Sequence, residues 1–260
     1  MQKDVRVIQS IQRAIDIINC FDYQYHTLTL PQISEKLNLN INTTRGIMNT
    51  LVLNGYIDHD LKTNTYSLGL VYIPKADLVS SKSIDKIKSL AHPLLENLAN
   101  NYQVSARLQV ISNHNIFTVD TINPENTHYI VISRLNVLFE LNATSSGKIF
   151  LKYMEPEKIE LYLNNINPIK YTENTIVDKD LLKSELLKID ENGYSTEFDE
   201  IGLGISSIAV PILKSDNTLY GTISITASST VISSVLDDIV LPMKECARFI
   251  SDKLSTIQFA

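Results

Sequence analysis

Residues 28–69, LTLPQISEKLNLNINTTRGIMNTLVLNGYIDHDLKTNTYSLG, decide the fold of the first part of this chain. Thr29 is followed three positions later by Gln32, which is the arrangement of a helix N-cap with a capping box. Pro31 falls in the first turn of that helix, where its missing N–H costs no hydrogen bond. Asn38 stands where the helix ends, and asparagine tolerates the left-handed backbone of a tight turn. The pattern therefore predicts a short helix followed by a turn.

A second helix and a hairpin follow in the same segment. Asn42 is a good N-cap for this helix, and Asn54-Gly55 places a glycine at or near its C′ position. Two alternating runs come next, at 56–59 and 65–68, and the polar stretch between them predicts a β-hairpin. The inner face of the helix is expected to comprise Ile47, Met48 and Leu51. Together these elements predict a winged helix-turn-helix, with the hairpin as the wing.

This motif implies duplex DNA as a partner. The helix after the turn enters the major groove, and its first turn meets the base edges. Arg45 can pair with a guanine edge or a phosphate, and Lys62 on the wing is the natural phosphate contact. The predicted DNA-binding residues are Thr29, Gln32, Asn42, Thr43, Thr44, Arg45, Asn49 and Lys62. The alternative interpretation is that these are ordinary solvated residues of a small helical domain.

Helices are predicted on both sides of this module. Residues 6–21 show helical spacing of apolar side chains and predict a first amphipathic helix. Its apolar positions are Val7, Ile11, Ile15, Ile18, Cys20 and Phe21. The chain is again predicted to be helical over 75–101, where Pro93 is expected to kink or break the helix.

The C-terminal part mixes short strand-like runs with helical segments. The predicted strands are residues 104–111, 116–122, 129–133, 208–213 and 219–226. The predicted helices lie near residues 146–164, 178–191 and 232–255. Strands and helices mixed in this way favour an α+β domain with an antiparallel sheet.

Composition limits the class of protein. The chain has 260 residues, of which 44% are hydrophobic, and this is enough for two domains with separate cores. No apolar run approaches the roughly 18 residues that span a bilayer, and the N-terminal sequence lacks the order of a signal peptide. Cys20 and Cys246 stand in apolar contexts and are predicted to be reduced core residues. We therefore expect a cytoplasmic protein without a membrane partner.

Charge is unevenly distributed between the two parts of the chain. Residues 1–75 contain seven Lys/Arg and six Asp/Glu, whereas 76–260 contain 16 Lys/Arg and 23 Asp/Glu. The N-terminal part is therefore nearly neutral and the remainder is acidic. This asymmetry is compatible with DNA binding, which depends on cations placed against the phosphates rather than on net charge.

The sequence contains no complete motif for catalysis, metal binding or nucleotide binding. Ser145-Ser146-Gly147-Lys148 has a superficial likeness to a P-loop, but Asn142 stands where its first glycine is required, and Ile149 replaces the Mg²⁺-binding Ser/Thr. The five histidines lack metal-ligand spacing, and no Ser or Cys lies in a nucleophile elbow. The sequence therefore predicts neither an enzyme nor a cofactor or metal site.

Across nearly its whole length the chain resembles the IclR family of bacterial transcriptional regulators. The segments that carry the resemblance occur in the same order as in the family. They are AIDIINCF, the 28–69 module with its YSLG end, AHPLLENLA, LNATSSGKIFL, NGYSTE, GISSIAVPI and YGTISIT. The resemblance implies three parts: a winged helix-turn-helix domain at 1–73, a helical linker at 74–90, and a GAF-like α/β effector-binding domain at 91–260.

The resemblance also implies how such a protein is controlled. Members of the family form dimers or tetramers, bind operators near promoters and sense a small metabolite, often an organic acid. By position, the effector-binding residues fall on Ser145, Ser146, Gly147, Glu197, Ser207, Ser224 and Thr226. Helix N-terminal amides and hydroxyls are well suited to bind a carboxylate.

Two functions from different classes follow. The first is a sequence-specific DNA-binding regulator, with repression favoured over activation, which is controlled by a small organic or sugar acid and acts as a homodimer or homotetramer. The alternative is a metabolite-binding module that acts through protein partners and has degenerate DNA binding. The near-neutral N-terminal part and Gly46 in the recognition helix motivate this alternative.

Overall fold

The computed structural model describes residues 7–22, 25–79, 82–112, 115–125, 141–165 and 168–254. Within these residues the chain divides into two compact units, with the boundary between Val79 and Lys82. The N-terminal unit comprises α1 (Gln9–Ile18), α2 (Leu30–Lys36), α3 (Ile41–Leu53), β1 (Ile57–Asp60), β2 (Thr65–Leu68) and α4 (Tyr72–Val79). The strands pair antiparallel, so the predicted winged helix-turn-helix is confirmed.

The turn and the helix ends of this unit follow the sequence signals closely. Asn38 has a φ of 49°, in the left-handed region, as predicted. The N–H groups of Gly55 and Tyr56 bond to the carbonyls of Val52 and Leu51, and Gly55 has a φ of 73°. This is a Schellman ending, which requires a residue that is free to adopt positive φ.

Two sequence expectations for the N-terminal unit were wrong. The N-cap of α3 is Asn40, whose side chain accepts a hydrogen bond from the Asn42 N–H at 2.9 Å, so Asn42 itself lies inside the helix. In α1 the fully buried residue is Ile17, which is not among the apolar positions named from the sequence, whereas Val7, Ile11 and Ile15 of that set are exposed. The core of the unit comprises Ile17, Cys20, Phe21, Leu28, Ile33, Met48, Leu51, Ile57 and Tyr66.

The C-terminal unit is an α+β domain built on one antiparallel sheet. Its helices are α5 (Lys82–Tyr102), α6 (Ser145–Lys152), α7 (Pro156–Asn165), α8 (Lys179–Asn192) and α9 (Ser229–Leu254), and a short 3₁₀ turn spans Leu141–Ala143. Its strands are β3 (Ser105–Ser112), β4 (Asn115–Ile122), β5 (Ser195–Phe198), β6 (Ile205–Leu213) and β7 (Leu219–Ser228). The strand order is β4-β3-β7-β6-β5, which confirms the expected antiparallel sheet.

The two faces of this sheet differ in chemistry. One face packs against α5 and α9 through an apolar core that includes Leu108, Val110, Ile208, Val210, Ile223 and Ile225. The other face carries α6, and a smaller apolar cluster joins α6 to α8 through Ile149, Leu151, Leu182, Leu186 and Ile189. Because side chains alternate along a strand, the residues between the apolar ones point toward α6, and most of them are polar.

Several boundaries differ from the sequence-based expectation. Residues 75–101 are helical as predicted in the part that the structure describes, but α5 continues through Pro93 without a break. The predicted single helix at 146–164 is two helices, and the second starts at Pro156, where proline is tolerated. Strand β5 was missed. The strand predicted at 129–133 lies outside the described residues.

The described residues bear on two expectations from composition. None of the described helices is long and apolar enough to cross a membrane. Both cysteines are free, with Cys20 buried and Cys246 half-buried, as predicted.

Candidate functional site

The exposed face of α3 is the first candidate site. Asn42, Thr43, Arg45 and Asn49 are exposed along this helix. Thr44 is fully buried, and its hydroxyl donates to the Asn40 carbonyl at 3.1 Å. The inclusion of Thr44 among the DNA-contacting residues was therefore wrong, because its hydroxyl is occupied inside the fold.

The other residues of this surface are held only by local contacts. Arg45 donates from Nη1 to Asn42 Oδ1 at 3.1 Å, which aligns both side chains on the outer face of α3. Gln32 accepts the Thr29 N–H at 2.8 Å and closes the start of α2. These exposed bonds are exchangeable with water or phosphate at small net cost.

The wing carries two opposite charges at its tip. Lys62 is exposed there, and its N–H donates to Asp60 Oδ1 at 2.8 Å. This hydrogen bond, together with those from Thr63, lowers the pKa of Asp60, so the carboxylate is ionised beside the lysine. The tip therefore carries one positive and one negative side chain, and its net charge is close to zero.

The second candidate site is the polar sheet face beneath α6. Its members are buried, apart from the half-buried Gln109, and lie on α6 and on four adjacent strands. They are Arg107, Gln109, Ser145, Ser146, Glu197, Ser207, Thr222, Ser224 and Thr226. The structure thus brings together the predicted effector-binding residues, and adds Arg107 and Gln109, which the sequence analysis missed.

The start of α6 lies directly on this face. Ser145 shares a hydrogen bond with Ser207 between their hydroxyl oxygens at 2.8 Å, and Ser195 donates to the Ser145 carbonyl at 2.6 Å. Thr144 is the N-cap and accepts from the Gly147 N–H. Ser145 and Ser146 belong to the first turn, whose N–H groups have no intrahelical acceptor. This helix end therefore presents donors and a positive dipole end to the sheet.

Gly147 is required for the close packing of this helix end. A Cβ at that position would lie 2.3 Å from the Leu141 carbonyl oxygen and 2.4 Å from Thr144 Oγ1. Both neighbours belong to the turn that leads into α6. The glycine therefore acts through packing, since any side chain would displace the helix start.

Glu197 is the acidic group of the polar face. Its Oε1 accepts the Glu200 N–H at 2.7 Å and the Ile201 N–H at 3.3 Å, while Ser207 donates to Oε2 at 3.1 Å. Burial raises the pKa of Glu197 to about 7, and these hydrogen bonds only partly offset that effect. The carboxyl is therefore poised to gain or lose a proton near neutral pH.

Gln109 links the middle of the face. Its Oε1 accepts hydrogen bonds from three hydroxyls: Ser146 at 2.5 Å, Ser224 at 3.0 Å and Thr222 at 3.2 Å. Arg107, two residues earlier on β3, donates from Nη1 to Thr226 Oγ1 at 3.0 Å. Alternation with the apolar Ala106, Leu108 and Val110 was the only sequence signal that placed these two side chains together.

A buried ion pair joins α6 to the segment that follows β5. Lys148 donates to the Glu200 carboxylate and, at 3.0 Å, to the Thr196 carbonyl. Both charged side chains are buried. The Lys148 ammonium is therefore bonded to two acceptors inside the fold.

Among the described residues, hydrogen bonds between its own side chains run across the polar face. Two depressions occur in the described C-terminal unit. One of about 120 Å³ includes Lys148 and Glu185 in its lining, and one of about 440 Å³ includes Lys244 and Arg248. Among the described residues no group of three His, Cys, Asp or Glu is placed to hold a metal ion.

A winged helix-turn-helix followed by an α+β domain is an architecture of DNA-binding transcriptional regulators. Family profiles assign the chain within this class. Residues 10–61 match the IclR helix-turn-helix domain, and residues 80–252 match the bacterial transcriptional regulator IclR C-terminal domain. The chain belongs to the IclR family of bacterial transcriptional regulators, whose members are regulators and not enzymes.

Individual relatives agree with this assignment. The chain is 26% identical over 231 residues to the HTH-type transcriptional regulator XynR of Escherichia coli, covering 89% of each chain. It is 23% identical over 235 residues to the transcriptional repressor IclR of the same species, covering 89% of this chain and 83% of the repressor. The fold is shared with the crystal structure of an IclR homologue from Microbacterium hydrocarbonoxydans complexed with 4-hydroxybenzoate. The TM-score is 0.74 at 19% sequence identity, and the match covers 95% of this chain and 100% of the homologue.

Proposed function

We propose that this regulator represses transcription from an operator and is controlled by a small organic or sugar acid bound beneath α6. The observation that carries the proposal is the buried polar face itself. Ser145, Ser207 and Glu197 form one hydrogen-bonded line that the stability of the sheet does not require, since apolar residues would fill the same layer. Such a set of buried donors and acceptors is typical of a small-molecule site.

Ligand entry would exchange these internal bonds for bonds to the ligand. A carboxylate that replaces the Ser145–Ser207 hydrogen bond could accept from both hydroxyls and from the first-turn N–H groups of α6. The effector-binding residues of this proposal are Ser145, Ser146, Gly147, Glu197, Ser207, Ser224 and Thr226. The 4-hydroxybenzoate complex of the structural relative supports a small carboxylate as the ligand class.

The DNA-binding surface of this proposal is the outer face of α3 with the wing. Thr29, Gln32, Asn42, Thr43, Arg45, Asn49 and Lys62 remain its members. One copy of this surface carries few cations, with Arg45 on α3 and Lys62 opposed by Asp60 on the wing. Useful affinity therefore requires two copies at a fixed spacing, as in a homodimer or homotetramer on a two-fold operator in the cytoplasm.

The operator part of the proposal is tested by selection from a random duplex pool at low salt. We expect an enriched sequence with two half-sites. In binding to that duplex, Arg45→Ala and Lys62→Ala should each lower affinity and reduce the salt slope by about two, one for each bound copy. Lys75→Ala, an exposed lysine of α4, is the control and should leave both unchanged. Unchanged affinity in the first two variants would show that the assigned DNA surface is wrong.

The repressor role and the second candidate function need separate readouts. A reporter placed behind the enriched sequence should be silenced by the protein and released by the effector; activation instead would contradict repression. The alternative, a metabolite-binding module that acts through protein partners, is favoured by the neutral wing tip and by Gly46. It predicts that no duplex is enriched, even at low salt, while an acid still stabilises the protein.

A further inference from the structure

We propose that Arg107 neutralises the charge of the effector, so that the site accepts a small organic anion and rejects its neutral isostere. The inference rests on the proposed effector site beneath α6 and adds to it a residue on the opposite edge of the polar face. Arg107 is then the charged ligand-binding group, while the α6 N-terminus supplies neutral donors.

The burial of Arg107 is the first observation. The residue is 7% exposed, and Nη1 is bonded to Thr226 Oγ1, which is a neutral acceptor. Its Nε is buried and has no hydrogen-bond partner in the part of the chain that the structure describes. Burial lowers the pKa of the guanidinium, and no described carboxylate offsets that effect. A buried cation without a paired anion is costly, so such groups mark sites where an anion binds.

The hydroxyl of Thr121, next to Arg107, is the second observation. Thr121 is the Cα partner of Arg107 across β3 and β4, so both side chains lie on the same face of the sheet. The Thr121 Oγ1 is buried and also lacks a hydrogen-bond partner among the described residues. Two adjacent buried donors without acceptors indicate the position of one missing acceptor. The two oxygens of a carboxylate lie in one plane and can accept two parallel hydrogen bonds from the N–H groups of a planar guanidinium.

The guanidinium is continuous with the start of α6. Thr226, which accepts from Arg107, is the Cα partner of Ser207, and Ser207 is bonded to Ser145 at 2.8 Å. Two features that favour negative charge, a helix N-terminus and a guanidinium, therefore stand on one line of side chains. Glu197 ends that line, and its carboxylate oxygens are already bonded to Ser207 and to the N–H groups of Glu200 and Ile201.

A purely structural arginine would behave differently from a ligand-binding one. If Arg107 served stability, its nitrogens would be satisfied in the protein, and its removal would destabilise the fold. If it serves the ligand, it costs stability in the free protein, and neutral replacements are tolerated or stabilising. The two roles thus predict opposite changes in the unfolding free energy of the protein without ligand.

The test uses thermal stability of the full chain at constant ionic strength. The probes are four acid–amide pairs: acetate and acetamide, glycolate and glycolamide, lactate and lactamide, benzoate and benzamide. A compound that binds the folded state raises Tm with the logarithm of its concentration. We expect at least one acid to stabilise the wild type and its amide to bind at least about tenfold more weakly, as for loss of a charged hydrogen-bond pair.

Variants of Arg107 then test whether this residue causes the preference for the acid over its amide. Arg107→Gln should lower affinity for that acid at least about tenfold and remove the preference over the amide. Arg107→Met, which retains the apolar stem, is the second neutral variant. Arg248→Gln removes an exposed arginine of the same unit and should bind like the wild type. Both neutral variants should be at least as stable as the wild type without ligand.

Every other outcome overturns the inference in a distinguishable way. Equal acid binding by wild type and Arg107→Gln would leave the effector function standing and remove Arg107 from it. Stabilisation by amides but not by acids would mean that the site takes a neutral ligand. No stabilisation by either set would reject both the acid effector and Arg107 as its partner. Unfolding of both neutral variants would show that the guanidinium is structural.

Discussion

The two candidate sites differ in the burial of their polar side chains, which are exposed on α3 and buried beneath α6. On α3, Asn42, Thr43 and Arg45 are exposed, and their bonds are local. Beneath α6, Glu197 and Arg107 are buried in a sheet layer that apolar residues would otherwise fill. Exposed polar groups cost little when unpaired, because water replaces the partner, whereas buried ones are costly unless bonded. We therefore expect mutations beneath α6 to change stability and binding together, and mutations on α3 to change DNA binding alone.

The largest expected effect comes from the ion pair that holds α6. Lys148→Met leaves the buried Glu200 carboxylate without its cation and should lower the unfolding free energy by about 3–5 kcal/mol. Urea unfolding measures this. The control is Lys152→Met in the exposed pair with Asp190, which should cost less than about 1 kcal/mol. The double variant Lys148→Met with Glu200→Gln should regain most of the loss. Equal costs at both lysines would contradict the distinction between buried and exposed charge.

The next effect is a pH dependence that the buried carboxyl creates. The pKa of Glu197 lies near 7 instead of its ordinary value of 4.5, so the folded protein retains a proton that the unfolded chain releases between these values. Its contribution therefore makes stability fall as pH rises from about 4.5 to about 7, and stay level above that. Glu197→Gln removes this contribution and should gain up to about 3 kcal/mol over the wild type between pH 4 and pH 8.

Urea unfolding across this pH range measures the difference between the two proteins. Burial also raises the pKa of Glu200, and the charge of Glu200 raises the pKa of Glu197, so the difference between the two proteins reports the titration of this coupled pair. Parallel stability curves for wild type and Glu197→Gln would mean that Glu197 is ionised throughout, as an exposed carboxylate would be.

A smaller effect is expected when a methyl group is added at the start of α6. The Cβ of Gly147→Ala would meet the Leu141 carbonyl oxygen at 2.3 Å, and the turn before α6 has to move. Overpacking of this kind costs about 1–3 kcal/mol. Hydrogen exchange of β6 and β7 amides measures the loss locally, and acid binding beneath α6 should weaken with it. A variant with wild-type protection would show that the helix start is loosely held.

The same substitution on the exposed site should have the opposite sign. No atom lies within 4 Å of the position that a Gly46 Cβ would occupy on α3. Gly46→Ala should therefore stabilise the N-terminal unit by about 1 kcal/mol through helix propensity alone. Hydrogen exchange of α3 amides reports the gain. Destabilisation would mean that α3 is more tightly packed at this face than the structure indicates.

The sequence was sufficient where local rules decide the structure. The cap at Thr29, the left-handed Asn38 and the glycine at Gly55 each have one conformational solution that their residue type favours. It failed where tertiary packing chooses between two similar options. Asn40 and Asn42 are both good caps, and α1 has apolar residues on more than one side, so periodicity alone did not identify Ile17 as its buried residue.

Only part of the polar face beneath α6 could be predicted before the structure was known. The family resemblance predicted Ser145, Ser207 and Glu197, which the structure brings into one hydrogen-bonded line. Strand β5 was missed because its buried positions, Ser195 and Glu197, are polar and carry no hydrophobic alternation. Arg107 was missed because an arginine in a strand is ordinarily exposed. Only the register of β3 against its neighbours shows where its side chain lies.

The most direct test of the account separates the two sites in one titration. A fluorescent duplex carrying the enriched operator is titrated with protein, with and without the stabilising acid, and followed by anisotropy. We predict that Arg45→Ala binds the duplex more weakly but still binds the acid, whereas Arg107→Gln binds the duplex normally and needs at least about tenfold more acid for the same response. If Arg107→Gln responds like the wild type, or if Arg45→Ala binds the duplex unchanged, the division of function between the exposed and the buried site is contradicted.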